Sequence, residues 1–371
     1  MKIGLNATCF GIRPSGAKQR FLGIYRYLFE LMPDADFLVY QSKDYDMSNL
    51  FSSRKNVKFV TLPVNSRSRY IKFLIGLFIF PRIFRREQFD IFESFNFPLF
   101  RGNSEYSLIT IHDIRGLNNQ SNIFLGRLYK WIYAFSIKRA DGIITVSNSM
   151  KKEIENAFNF KNQIFVLYNG ISRRNFSKNF AFKAPRHTLP KIPENFLLTV
   201  GHLEERKNYP NLISAIKILQ LKGVHLNLII VGNDSGKKNE IKEHIKKLKL
   251  SKNVFLLEGL EDIFLKTLYK KSELFVFPSY YEGFGIPILE SLEAGTPVLL
   301  SDIKVFREIT KNIYQQEFFN PKEPKDIANK IEKSLKKIRG KGVKDKVSVP
   351  NEFEYEYIAK NLIEIYKELV K

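Results

Sequence analysis

Apolar positions along this chain recur with two spacings, and the two alternate. Short apolar runs at 2–8, 37–41, 57–60, 90–93, 106–111, 142–146 and 164–167 predict strands. Between them, apolar residues three and four apart predict helices over 17–31, 69–85, 124–140 and 148–157. The pattern lapses over 172–195, which carries Pro185, Pro190 and Pro193. It resumes at 196 and runs to about 337. Residues 338–352 are rich in Lys and Gly, which predicts a loop. A last amphipathic helix, 353–370, aligns Tyr355, Ile358, Leu362, Ile365, Tyr366 and Leu369. Two such blocks predict an α/β chain with two doubly wound parallel sheets, expected over 1–185 and 186–352. Ligands of open α/β sheets sit beyond the carboxyl ends of the strands, so the cleft between two such domains is the expected site.

Composition fits that picture. The 371 residues suit two domains, and 44% hydrophobic content is that of a globular chain. A single cysteine, Cys9, excludes a disulfide framework, and no spacing suggests zinc. The chain opens into a strand rather than a signal peptide. Its longest apolar run, 73–80, falls short of the ~20 residues of a spanning helix. A cytoplasmic protein is expected, without cofactor or metal.

Two segments concentrate the candidate chemistry. In the first, strand 274–277 ends at Pro278-Ser279, and Glu282-Gly283-Phe284-Gly285-Ile286-Pro287 leads into a helix bearing Ile288, Leu289, Glu290 and Leu292. Strand, turn and helix in that order aim backbone N–H groups and a helix dipole at one spot, which suits a diphosphate. Glu282 and Glu290 bracket it. Eight residues of helix would part them by ~12 Å, the span of a diphosphate with its sugar. One carboxylate then suits sugar hydroxyls and the other ribose hydroxyls. In the second segment, a strand ends at Gly201, and Arg206-Lys207-Asn208 precedes a helix beginning near Pro210. Two cations before a helix N-terminus oppose its dipole unless an anion lies between. Arg grips phosphate oxygens bidentately and Lys adds a point charge. The plain alternatives are a structural glycine turn with surface glutamates and a solvated Arg-Lys pair.

Together, Gly201…Arg206-Lys207-Asn208, Val231-Gly232, Glu258-Gly259, Glu282-Gly283-Phe284-Gly285-Ile286-Pro287…Glu290 and Ala294-Gly295-Thr296-Pro297-Val298 resemble the nucleotide-sugar half of the family 4 glycosyltransferases. Their order covers 196–310 without a break. The first half resembles the family more weakly, through Ile111-His112-Asp113, Val146-Ser147 and Tyr168-Asn169-Gly170. The resemblance implies a GT-B fold whose last helix, 353–371, packs back on the first domain. It implies metal-independent, retaining transfer of a sugar from a nucleotide diphosphate to a saccharide. It assigns catalysis to Glu282, Arg206, Lys207 and His112. Donor binding falls to Gly201, Gly232, Gly259, Gly283, Phe284, Gly285, Ile286 and Glu290. The acceptor or diphosphate loop keeps Gly16 and Asp113. For His112 and Asp113 the alternatives are a ring that caps backbone groups and an N-cap. A nucleotide-sugar or polysaccharide-binding protein without catalysis is the competing function; a GT-B phosphorylase or epimerase would need a motif that is lacking.

The net charge of +22 speaks to partners. No nucleic-acid motif accompanies it, and the basic residues are spread out. Segment 67–86 gathers Arg67, Arg69, Lys72, Arg82, Arg85 and Arg86 around Phe73, Leu74, Leu77, Phe78 and Phe80. That suits either an anionic membrane surface or a core helix flanked by solvated cations. The basic balance favours an anionic, lipid-linked saccharide as acceptor. With the resemblance, the expected reaction moves a hexose such as mannose in surface polysaccharide assembly, at a peripheral location on the inner membrane face. Asp44-Tyr45-Asp46 has the form of a metal-binding pair but lies in a polar loop and is expected to be surface.

Overall fold

A computed structural model describes residues 1–51, 54–66, 80–95, 97–118, 123–172, 192–313, 317–341 and 349–371. The chain divides into two compact units, Met1–Gly170 with Glu352–Lys371, and Ile171–Asn351. Each unit is built on one parallel sheet.

In the first unit the strands are β1 (Lys2–Asn6), β2 (Asp36–Ser42), β3 (Val57–Leu62), β4 (Gln88–Ser94), β5 (Asn103–Ile111), β6 (Gly142–Thr145) and β7 (Gln163–Val166), in the order β3-β2-β1-β4-β5-β6-β7. Ile3 pairs with Phe37 on one side and Ile91 on the other, which sets β1 between β2 and β4 at the centre of the sheet. Helix α1 (Gly16–Leu31) starts where Ser15 accepts from the Lys18 N–H. Of the helix expected at 69–85, residues 69–79 lie outside the described residues. The described part is a single turn, α2 (Phe80–Phe84). Helices α3 (Ile123–Ile137) and α4 (Asn148–Ala157) complete the covering layers.

The second unit repeats the plan. Strands β8 (Phe196–Val200), β9 (Asn227–Val231), β10 (Val254–Leu257), β11 (Leu274–Phe277), β12 (Val298–Ser301) and β13 (Glu317–Phe319) lie in the order β10-β9-β8-β11-β12-β13. The helices are α5 (Tyr209–Leu221), α6 (Lys238–Lys247), α7 (Asp262–Lys271), α8 (Ile286–Glu293), α9 (Lys304–Ile309) and α10 (Pro324–Lys341). The loop expected from 338 therefore begins later, because Ile331, Leu335 and Ile338 keep α10 on the core through its last turn. In both sheets the strand order reverses beside the first strand, between β1 and β4 and between β8 and β11. Ligands of such sheets bind at this reversal, beyond the strand carboxyl ends.

The last helix, α11 (Tyr355–Val370), belongs to the first unit. Ile358, Leu362 and Tyr366 are fully buried with Ile24 and Leu28 of α1. A Cβ on Gly23 would sit 2.4 Å from the Tyr355 ring, so glycine permits the close approach of α1 and α11. Each such aliphatic burial stabilises by about 1.5–3 kcal/mol.

Candidate functional site

Gly201 follows β8 and Pro278–Glu282 follows β11, so the strongest sequence candidates meet at the strand reversal of the second unit. Lys207 Nζ donates to Glu282 Oε1 at 2.6 Å, and Arg206 Nη1 lies 2.5 Å from Oε2. Ser279 Oγ donates to Oε1 at 2.8 Å, and Glu204 holds the other arm of Arg206 at 2.6 Å. The side chains of Lys207 and Glu282 are 8% and 9% exposed, that of Arg206 22%, which excludes a solvated surface pair. Burial opposes ionisation of Glu282, but the charges of Lys207 and Arg206 and the bonds from Lys207 and Ser279 outweigh it. The carboxyl titrates below its usual range. Burial pulls the Lys207 ammonium below its ordinary value despite Glu282.

The loops that carry these groups are stitched together. The Tyr280 N–H donates to the Arg206 carbonyl at 2.8 Å, and Arg206 Nη1 donates to the Tyr281 carbonyl at 3.0 Å. Asn208 takes the left-handed conformation (φ 56°), and its amide donates to the Pro278 and Pro321 carbonyls. Space is made by glycine. A Cβ on Gly201 would stand 2.9 Å from Lys207 Cε, and one on Gly232 would strike the Gly201 carbonyl. Tyr209 donates to that carbonyl at 2.7 Å.

Glu282 and Glu290 are not joined by eight residues of helix. Gly285 (φ 143°) interrupts the chain, and α8 begins only at Ile286, so Glu282 stands in the turn and Glu290 in the second helical turn. The α8 N-terminus has no side-chain cap and no acidic residue in its first turn. Phe284 and Ile286 are buried, which limits them to backbone contacts with any ligand. Gly283 lies half-buried in the turn. Glu290 accepts from Tyr269 at 2.9 Å, and burial, then the Glu290 charge, pushes the Tyr269 phenol well up. Gly259 follows β10, and its N–H donates to Asn233 Oδ1 at 3.2 Å. Ser279, Glu204 and Tyr269 were given no role from the sequence, where Ser279 marked only a strand end and Asn208 only the close of the Arg206-Lys207-Asn208 motif.

In the first unit, His112 follows β5. Its Nε2 is shielded from solvent and has no hydrogen-bond partner, so the ring does not cap backbone through that nitrogen. Burial, and then the charge of Arg20, lowers its pKa to about 3, which keeps the imidazole neutral. Arg20 is itself 1% exposed and donates to the Leu167 carbonyl. Nearby, Glu93 is fully buried and accepts from Tyr25, Thr110 and Tyr366. Asp113 accepts from the Arg115 N–H, the local capping arrangement. Gly16 opens α1 and is exposed. Asp44 is held by Ser66, beyond β3, and Asp46 by Gln41 and Ser48, so both carboxylates are engaged by neighbouring groups of the first unit. Among the described residues no three His, Cys, Asp or Glu gather as for a metal, and no helix is long and apolar enough to cross a membrane. Phe80, counted from sequence among the membrane-facing side chains, is instead core. It packs on Phe84 and Phe100 at 5.2 and 5.8 Å.

Residues 183–341 match the family described as Glycosyl transferases group 1, and residues 26–174 match Glycosyltransferase Family 4. The chain is 32% identical over 216 residues to the O-antigen chain mannosyltransferase RfbU of Salmonella typhimurium, covering 58% of this chain and 56% of that protein. It thus spans a little over half the length of that relative. Sucrose-phosphate synthase from Thermosynechococcus elongatus superposes with TM-score 0.73 at 16% identity, covering 99% of this chain and 98% of that one. The Anabaena protein HepE, in complex with UDP and glucose, does so with TM-score 0.70 at 17% identity, covering 99% and 100%. The two parallel sheets are those of the GT-B fold. The chain belongs to the family 4 glycosyltransferases.

Proposed function

We propose that the protein transfers a hexose, with retention, from a nucleoside diphosphate sugar to a lipid-linked saccharide during surface polysaccharide assembly. The observation that carries this reading is the buried Arg206–Lys207–Glu282 cluster at the strand reversal, three residues before the glycine that opens an uncapped helix. A diphosphate arriving there draws Arg206 and Lys207 from Glu282 and meets the positive end of α8. Glu282 is then freed to accept from sugar hydroxyls, and Glu290 from ribose hydroxyls. The acceptor hydroxyl oxygen bonds to the anomeric carbon as the bond to the diphosphate breaks, and its proton passes to the leaving phosphate. Preorganised cations stabilise the charge growing on that phosphate, the largest catalytic contribution in most such sites. Neutral His112 serves as a hydrogen-bonding group toward sugar or acceptor. The O-antigen mannosyltransferase relative supports mannose as the sugar.

The test is a thermal-shift screen of nucleoside diphosphate sugars differing in base and sugar, followed by NMR of the released sugar or product. Stabilisation by one donor, with slow turnover that yields the retained anomer, is expected. Stabilisation without turnover, even with acceptor lipid extract present, would leave a binding protein. Inverted product would overturn the mechanism.

A further inference from the structure

Helix α3 turns two aromatic rings and four cations outward. Its rotation is fixed by its inner face. Tyr133 packs 4.3 Å from Phe97 and donates to the Asp113 carbonyl, Ser136 Oγ accepts from the Leu99 N–H, and Ile137 is buried. At about 100° per residue, Trp131 and Phe135 then point within about 20° of the direction opposite Tyr133. Trp131 is 53% exposed, and its ring lies 5.4 Å from that of Phe135. The Arg139 guanidinium covers Phe135 at 3.5 Å. Arg127, Lys130, Lys138 and Arg139 are all exposed, and no acidic residue occurs from 123 to 140. A helix face meant only for water gains nothing from a half-exposed tryptophan at its centre. A face that meets a bilayer uses both kinds of residue, aromatic rings at headgroup depth and long cations reaching lipid phosphates.

We propose that this face of α3 docks on an anionic phospholipid surface. The proposal deepens the membrane part of the function proposed above, and rests on it only for the lipid-linked acceptor. It is independent of segment 67–86, of which residues 67–79 lie outside the described residues and Phe80 and Phe84 are buried. A segment that carries four cations and no acidic residue favours an anionic lipid sheet over a folded protein partner, whose charge would need to be matched group by group. Each cation near such a leaflet changes partitioning about fivefold, and four together several hundredfold.

Trp131 is the only tryptophan in the chain, so the docking face carries its own reporter. The full chain is mixed with vesicles of phosphatidylglycerol and phosphatidylcholine, or of phosphatidylcholine alone. With anionic vesicles at low salt, Trp131 emission shifts to the blue and brominated lipid quenches it. Raised salt reverses most of this. Changing Arg127, Lys130, Lys138 and Arg139 to Ser abolishes the shift, while the thermal melt and donor hydrolysis stay as in the wild type. Trp131→Ser weakens flotation at every salt concentration. An unshifted emission with anionic vesicles overturns the proposal, as does flotation without a shift, which puts the contact elsewhere. Binding of single-stranded RNA in place of vesicles overturns it too. Donor hydrolysis is read in solution, so failure to dock and failure of the transferase reading are told apart.

Discussion

Glu282→Gln separates the architecture of the donor site from its chemistry. The change keeps shape and removes one negative charge from between two cations. Arg206 retains Glu204 at 2.6 Å and the Tyr281 carbonyl at 3.0 Å. Lys207 retains the Phe277 ring, 4.7 Å from its ammonium, the more distant charge of Glu204 and whatever the new amide oxygen accepts. With its side chain 8% exposed, Lys207 becomes a buried cation without a counter-ion in contact. Breaking a buried pair in this way costs about 3–5 kcal/mol. The surviving partners of Arg206 put the value near the lower figure. For a unit of this size each kcal/mol lowers the melting temperature by about 2–4 °C, so a fall of roughly 6–12 °C is expected.

The sign of the pH dependence follows. The folded carboxyl of Glu282 titrates below its unfolded value. Its contribution is present above the ordinary glutamate range and is lost as pH falls through the folded pKa. The gap between wild type and variant therefore closes in acid. A nucleoside diphosphate supplies the missing negative charge. It should bind the variant at least as tightly as the wild type and recover much of the lost melting temperature, by about 2.7 kcal/mol at a hundredfold excess over its dissociation constant. Sugar transfer should be slower, because contacts that tighten at the anomeric centre are gone. Differential scanning fluorimetry and calorimetry across pH measure all of this. An unchanged melting temperature, or equal loss of affinity for nucleoside and nucleoside diphosphate, refutes the reasoning.

Three further outcomes are expected. Arg206→Ala or Lys207→Ala should weaken nucleoside diphosphate binding by roughly 1.5–3 kcal/mol in titration calorimetry, while the bare nucleoside binds nearly as before. Tyr366→Phe removes a hydroxyl from Glu93. It should cost about 1.5–3 kcal/mol in the urea unfolding of the first unit and leave nucleotide affinity alone. His112, held near a pKa of about 3 against an ordinary 6.5, makes the unfolded chain take up a proton that the native state refuses. Stability thus declines as pH falls below about 6.5, and His112→Asn should flatten that part of the pH–stability curve.

What the sequence disclosed depended on how far apart the cooperating residues lie. Strand β11, its turn and α8 form one continuous run, and their apolar periods and glycines show it directly. The pairing of Lys207 with Glu282 spans 75 residues and no local pattern announces it. From the sequence, Arg206-Lys207 served as a free grip for phosphate and Glu282 as a free grip for sugar. The fold sets them against one another. Local composition also misled at 338–341, where Arg339, Gly340 and Lys341 look like a loop. Solvated cations on an outer face do not end a helix whose inner face keeps Ile331, Leu335 and Ile338 in register. Phe80 misled in the opposite sense. Its cationic neighbours Arg82, Arg85 and Arg86 are exposed while the ring itself is core.

The least legible feature is common to both units. Each carries a buried glutamate at the strand that adjoins the first strand across the order reversal, Glu93 on β4 and Glu282 just beyond β11. The same position is satisfied by opposite chemistry. Glu93 is held by three hydroxyls drawn from α1, β5 and α11, groups that carry no charge and gain nothing by leaving. That arrangement closes a core and ties the last helix into it. Glu282 is held by two cations, which an incoming anion of higher charge can draw away. One glutamate therefore fixes structure and the other is poised for exchange. The difference lies in what the neighbouring elements bring to the carboxylate, and only the assembled sheets bring it.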